Sequence, residues 1–159
     1  MHSRITVLLM LVVLALTPAA FGSGKKEPKI SVTFHIETDA TDNPKMIFPQ
    51  AVAGQRKFFR RLPEISAKDI ASFSPFPSEF GDYGIVFKLK GPPTNRLAAL
   101  TSASQGRWMI AQVNGRIVDE VMIDKQVDDG QMVIWKGVTL ADITVLDKEL
   151  TRTGEQKKK

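Results

Sequence analysis

Hydrophobic and polar positions alternate along Ile30–Glu37 (ISVTFHIE), with Ile30, Val32, Phe34 and Ile36 on one side and Ser31, Thr33, His35 and Glu37 on the other. A period of two is the pattern of a strand with one buried face, so the second row is expected to meet solvent. The same alternation predicts a strand over Tyr83–Lys90 (YGIVFKLK). Pro92-Pro93 then opens a helix that runs through Leu97 and Leu100 to Gly106, proline being well placed in a first helical turn. Two apolar runs, Arg107–Val113 and Arg116–Ile123, flank Asn114-Gly115, which predicts a tight hairpin. Gln131–Trp135 reads as a further strand. Thr139 as N-cap and Asp142 three positions on start a closing helix to Leu150, with Leu140, Ile143, Leu146 and Leu150 as its apolar stripe.

The remaining segments are less regular. Thr38–Pro44 (TDATDNP) is a turn built from residues that hydrogen-bond locally. Lys45–Pro49 is a short extended piece ending at the proline, and Gly54 lies in the turn before Gln55–Leu62 (QRKFFRRL). Neighbouring residues of a strand point to opposite faces, so one of Phe58 and Phe59 is expected in the core and the other partly outside. Ser66 and Asp69 form a variant capping box that predicts a short helix through Ile70. In Phe73–Gly81 (FSPFPSEFG), Pro75 and Pro77 rule out a regular central strand and leave an edge strand or an ordered loop. Taken together the elements predict an α+β fold, a small mixed or antiparallel sheet with two main helices packed on one face.

Composition sets the boundaries. Residues 1–22 open on a basic Arg4, continue through twelve uncharged residues in Ile5–Leu16, and end on small residues after Pro18. That is the layout of a cleavable signal peptide, and the apolar run is short for a bilayer span. The alternative is an uncleaved anchor in the inner membrane. Residues 23–29 read as a linker, 30–150 as one domain and 151–159 as a disordered basic tail. The chain is therefore expected to be exported, periplasmic or extracellular. It has no cysteine, so its stability must come from a packed core, which about 135 residues are enough to form. Its net charge of +5 sits partly in Lys25-Lys26 and Lys157–Lys159, which argues against nucleic acid as a partner and only weakly for anionic membrane.

Catalytic chemistry has little to work with. His35 is the single histidine beyond residue 22. With Glu37, Asp39 and Asp42 it makes a conceivable metal or hydrolase site, against which stands the plain reading of a polar strand face and an Asp-rich turn. Asp128-Asp129-Gly130 lacks the other ligands of a calcium loop, and Asp119 and Glu120 face opposite ways on one strand. No nucleophile elbow or phosphate loop is present. The chain is read as a non-enzymatic binding module without cofactor or metal. The aromatic residues Phe73, Phe76, Phe80 and Trp108 are the candidates for lining an apolar groove that takes an extended polypeptide beside a strand edge. The alternatives are a structural protein of the cell envelope and an enzyme using His35.

Residues 65–148 resemble the head subdomain of the first periplasmic domain of SecD and SecDF. Ser66–Ser72 (SAKDIAS), Ile85–Leu89 (IVFKL), Arg96–Gly106 (RLAALTSASQG), the hairpin Trp108–Ile123 with its Gly115, and Thr139–Leu146 follow that family's order of segments. The family's proline in the second hairpin strand falls here at Glu120 or Val121, and its glycine-rich turn is reduced to Gly130. The resemblance implies a role in protein export through contact with a polypeptide or an envelope membrane protein. It implies no catalytic residue. SecD-type proteins also carry several transmembrane helices, and no second apolar run of that length follows Leu16.

Overall fold

Phe34 and His35 are adjacent on the first strand and both are buried, so the strand expected to have one wet face has two covered ones. The computed structural model describes residues 29–155; the expected signal peptide, nearly all of the linker and the lysine tail lie outside the described residues. Strand β1 (Val32–Thr38) pairs antiparallel with β7 (Trp108–Val113) on one side. On the other side it meets two short partners in succession, β4 (Ile65–Ser66) near its start and β3 (Gln55–Arg60) near its end. Strand β2 (Ile47–Val52) completes a hairpin with β3 and runs through Pro49, past the end expected for it. β8 (Arg116–Met122) closes the far side, giving the order β2-β3-β1-β7-β8.

A second sheet takes the order β10-β5-β6-β9, where a single mixed or antiparallel sheet was expected. Its members are β5 (Ile70–Pro77), β6 (Tyr83–Leu89), β9 (Gln131–Val138) and the two-residue β10 (Thr151–Arg152), which runs parallel to β5. Thr151 and Arg152 therefore belong to the fold, although they lie in the stretch 151–159 expected to be a tail. The helices are α1 (Gly91–Ala103) and α2 (Leu140–Glu149).

One apolar cluster draws on both sheets and both helices. It joins Val32, Phe34 and Ile36 of β1 to Phe73 of β5, Ile85 and Phe87 of β6, Leu97 of α1, Met109 of β7, Ile134 of β9, and Ile143 and Leu146 of α2. A smaller cluster of Val52, Phe59 and Ile110 lies under the β2–β3 hairpin, flanked by Phe48 and Trp108. This hairpin covers the second face of β1. Phe59 is buried and Phe58 only partly so, the division their adjacency requires.

Local chemistry fixes the ends of these elements. Asn114 and Gly115 both have positive φ, 51° and 76°, the conformation of a two-residue hairpin turn, which glycine adopts without strain. Thr139 Oγ1 accepts the Asp142 N–H at 3.2 Å, and the Asp142 carboxylate accepts the Thr139 N–H at 3.0 Å. The same box forms at Ser66, whose N–H donates to Asp69 at 2.9 Å, but only the 3₁₀ turn Ala67–Asp69 follows. Ile70 does not continue a helix: it pairs with Leu89 as the first residue of β5. Leu140, expected in the apolar stripe of α2, is 63% exposed, while Ile143 and Leu146 are buried.

Candidate functional site

The edges of the two sheets approach each other between β8 and β9, and a single carboxylate joins them. Asp119, buried on β8, accepts the Trp135 N–H of β9 through Oδ2 at 2.6 Å and the Glu120 N–H through Oδ1 at 3.0 Å. Close by, Gly137 lets β9 press on β8: a Cβ there would lie 2.9 Å from Val118 Cβ and its carbonyl oxygen. Beyond Asp119 the strands part and enclose a cleft of about 700 Å³. No ladder joins β8 to β9 among the described residues.

Phe34, Leu97, Met109, Ala111 and Met132 give the cleft an apolar lining from the main core. The connection Ile123–Gly130 bounds its other end. That loop is pinned to α1, because the Val127 N–H donates to Thr101 Oγ1 at 2.9 Å while the hydroxyl donates to the Leu97 carbonyl at 2.8 Å. Met122 is 53% exposed and Trp135 59% exposed at the margins.

Backbone direction follows from the ladders. The Ile123 N–H bonds to Arg107 next to β7, and the Leu89 N–H bonds to Gly130 next to β9. Alternate residues of an antiparallel strand turn their N–H and C=O to opposite sides. Met122 on β8 and Val133 on β9 therefore direct theirs away from the paired strand, into the gap. Both line the cleft.

Charge in the cleft is opposite in sign to that of the chain. Asp119, Glu120, Asp124, Asp128 and Asp129 line it with Lys125 as the one base, in a protein of net charge +5. No histidine, serine or cysteine is among the lining residues. An apolar floor, two strand edges without a strand partner and an acidic rim suit the binding of a chain segment.

The four aromatic residues expected to line a groove do not come together. Phe73 is fully buried in the main core and has no surface to offer. Trp108 packs against the small cluster under the β2–β3 hairpin. Phe80 is 71% exposed, with Lys136 Nζ 5.1 Å from its ring centre. Phe76 lies over Gly84, where a Cβ would meet its ring, and its ring stands edge-on to Trp135 with centres 6.1 Å apart. Two of the four border the cleft indirectly, Phe76 through Trp135 and Trp108 through its cross-strand partner Met122.

His35 is not on an open polar face. Its Nδ1 lies 2.8 Å from the Arg60 carbonyl and therefore donates; Nε2, 3.0 Å from Thr33 Oγ1, is left to accept. Its ring stands edge-on to Phe48, with centres 5.5 Å apart. Burial pushes its pKa below the ordinary histidine value, against the opposing pull of the Arg60 carbonyl and Glu64. Glu37 is bound to Lys57 Nζ at 2.8 Å and to the Trp108 N–H at 2.8 Å, and Asp39 faces Arg107 at 3.4 Å. Among the described residues no group of three or more His, Cys, Asp or Glu side chains is placed to hold a metal ion.

Sequence reasoning missed Asp119, Met122, Val133 and Trp135 as site residues. Asp119 offered one clue, a carboxylate at an inward position of a strand, which requires a buried partner.

Neither a protein-family model nor a curated protein matches the sequence. Solved structures do match the fold. One is of SecDF, described as a membrane component that enhances protein export; it aligns with 82% of this chain and 70% of its own at 13% identity, with a TM-score of 0.54. Another, SecDF in its Super-membrane-facing form, aligns with 77% of this chain and 19% of its own at the same identity and TM-score. The protein thus has a SecDF-like α+β fold. No helix among the described residues is long and apolar enough to cross a membrane.

Proposed function

We propose that this protein is an exported module of the protein-export process that binds extended polypeptide in the cleft between β8 and β9. The observation that carries the reading is the cleft itself, an apolar floor set between two strand edges that have no strand partner. Unpaired edges beside an apolar surface are what strand-like peptide recognition requires. The SecDF-like fold supports a role in export, SecDF being a membrane component that enhances protein export. A role outside the cytoplasm rests on the composition of residues 1–22. Trp135 forms one wall, with Phe76 behind it.

Photo-crosslinking in cells tests this. A photoreactive residue at Met122, in the cleft, is compared with one at Leu62, which is 71% exposed and does not line the cleft. Met122 is expected to capture secretory polypeptides and Leu62 not to. Equal capture at both positions, or none at Met122 with the protein folded and exported, overturns the proposal.

A further inference from the structure

We infer that the cleft accepts its polypeptide as an added β-strand and selects segments in which apolar residues are flanked by lysine or arginine. This rests on the polypeptide-binding reading above and specifies the mode and the sequence it favours.

The mode follows from the edges. Met122 and Val133 present backbone N–H and C=O groups to the gap from opposite sides, so a chain lying between them finds donors and acceptors on both flanks. A strand's side chains alternate between its two faces. Every second side chain of the guest would then point at the floor of Phe34, Leu97, Met109 and Met132, and the rest would point outward. Such a guest needs apolar residues at alternate positions and free amides throughout.

The charge preference follows from the rim. Glu120, Asp124, Asp128 and Asp129 are exposed carboxylates around an opening whose one base is Lys125. Their field attracts a cationic guest and repels an anionic one, which adds discrimination more than raw affinity. Exposed charges act over about 10 Å at 0.1 M salt, so the preference must fade as salt rises.

Calorimetric titration of the full chain with three synthetic peptides provides the test. The first alternates valine and threonine between terminal lysines; the second carries glutamates in place of the lysines. The third is the lysine peptide N-methylated at alternate residues. The lysine peptide is expected to bind about tenfold more tightly than the glutamate peptide at low salt, a gap that narrows several-fold at about 0.5 M. N-methylation is expected to weaken binding at least about tenfold by removing edge hydrogen bonds. Glu120→Lys with Asp124→Lys should abolish or reverse the charge preference. Val133→Pro removes a donor from the open edge without touching the β6 ladder, a place where strands tolerate proline, and should weaken the lysine peptide to a similar degree. Equal binding of the lysine and glutamate peptides, or unimpaired binding of the N-methylated one, overturns this inference and leaves the polypeptide-binding reading in place. Failure of all three peptides together with absence of crosslinks at Met122 removes both.

Discussion

Strand β2 and the part of β5 that runs past β10 lie at outer margins of the two sheets, and each carries proline at positions facing outward. The Arg61 N–H bonds to the Met46 carbonyl, so alternation turns Pro49 away from β3. The Thr153 N–H bonds to the Phe73 carbonyl, so Phe73 faces β10, and Pro75 and Pro77 face the same side beyond the point where β10 ends. A proline there offers no N–H to an incoming strand, a common way of keeping an edge from pairing. β8 and β9, whose edges face each other across the cleft, contain no proline in their paired segments. Proline removes one outward donor from β2 and two from β5, and none from the inner edges. Strand addition is thus hindered by proline at these outer positions and unhindered by proline along the cleft, as the proposed binding mode requires.

The largest expected effect separates the aromatic residues of the proline-broken segment. Phe73→Ala should cost about 3–5 kcal/mol, as for a fully buried phenylalanine, and Phe80→Ala should stay within about 0.5 kcal/mol. Urea unfolding of the two variants measures both. A large loss at Phe80 would move that residue into the fold's support and extend the core into the turn after β5.

Opening the clasp between the inner edges comes next. Asp119→Ala leaves the Trp135 and Glu120 amides without their acceptor and is expected to cost about 1–3 kcal/mol. Asp119→Asn, which keeps one acceptor oxygen, should recover part of that. Thermal unfolding of the pair reads the difference, and a neutral alanine variant would mean that β8 and β9 are held together by packing alone.

A smaller effect belongs to the hairpin over the outer face of β1. Because burial holds the His35 pKa below its unfolded value, the unfolded chain takes up a proton first as pH falls. Stability should therefore drop as pH falls below about 6.5 toward the lower folded value, and His35→Phe should remove that part of the slope. Melting temperatures across about pH 7 to 5 test it. The same variant should retain polypeptide capture at Met122; loss of capture with the fold intact would restore His35 to a functional role.

The smallest change in stability is expected from the outer edge itself. Pro75→Val with Pro77→Val should shift stability by no more than about 1 kcal/mol. It should also produce concentration-dependent self-association in sedimentation runs, because the outward amides are restored.

Much of this architecture is legible in the sequence where the cause is local. Asn114-Gly115 dictates its turn, the adjacency of Phe58 and Phe59 divides them between inside and outside, and Thr139 with Asp142 caps α2. The second sheet and the covered face of β1 were not legible. Alternation shows that His35 opposes Phe34, but it does not show that Phe48 and the Arg60 carbonyl arrive to cover and satisfy it. The capping box at Ser66 also forms as read, yet pairing with Leu89 draws Ile70 into a strand. The cleft lies furthest from local signals. Whether Met122 and Val133 have partners depends on the order of strands in two sheets, which no window of sequence contains.

Amide hydrogen exchange with and without an unfolded secretory polypeptide reads strand addition in the cleft residue by residue. Exchange at Met122 and Val133 should slow when the polypeptide is added, while Ile47 and Ala51, whose amides face outward on β2, stay unchanged. Protection that appears on the outer strands, or saturating polypeptide that leaves Met122 and Val133 exchanging freely, would contradict the assignment of the cleft as the binding site.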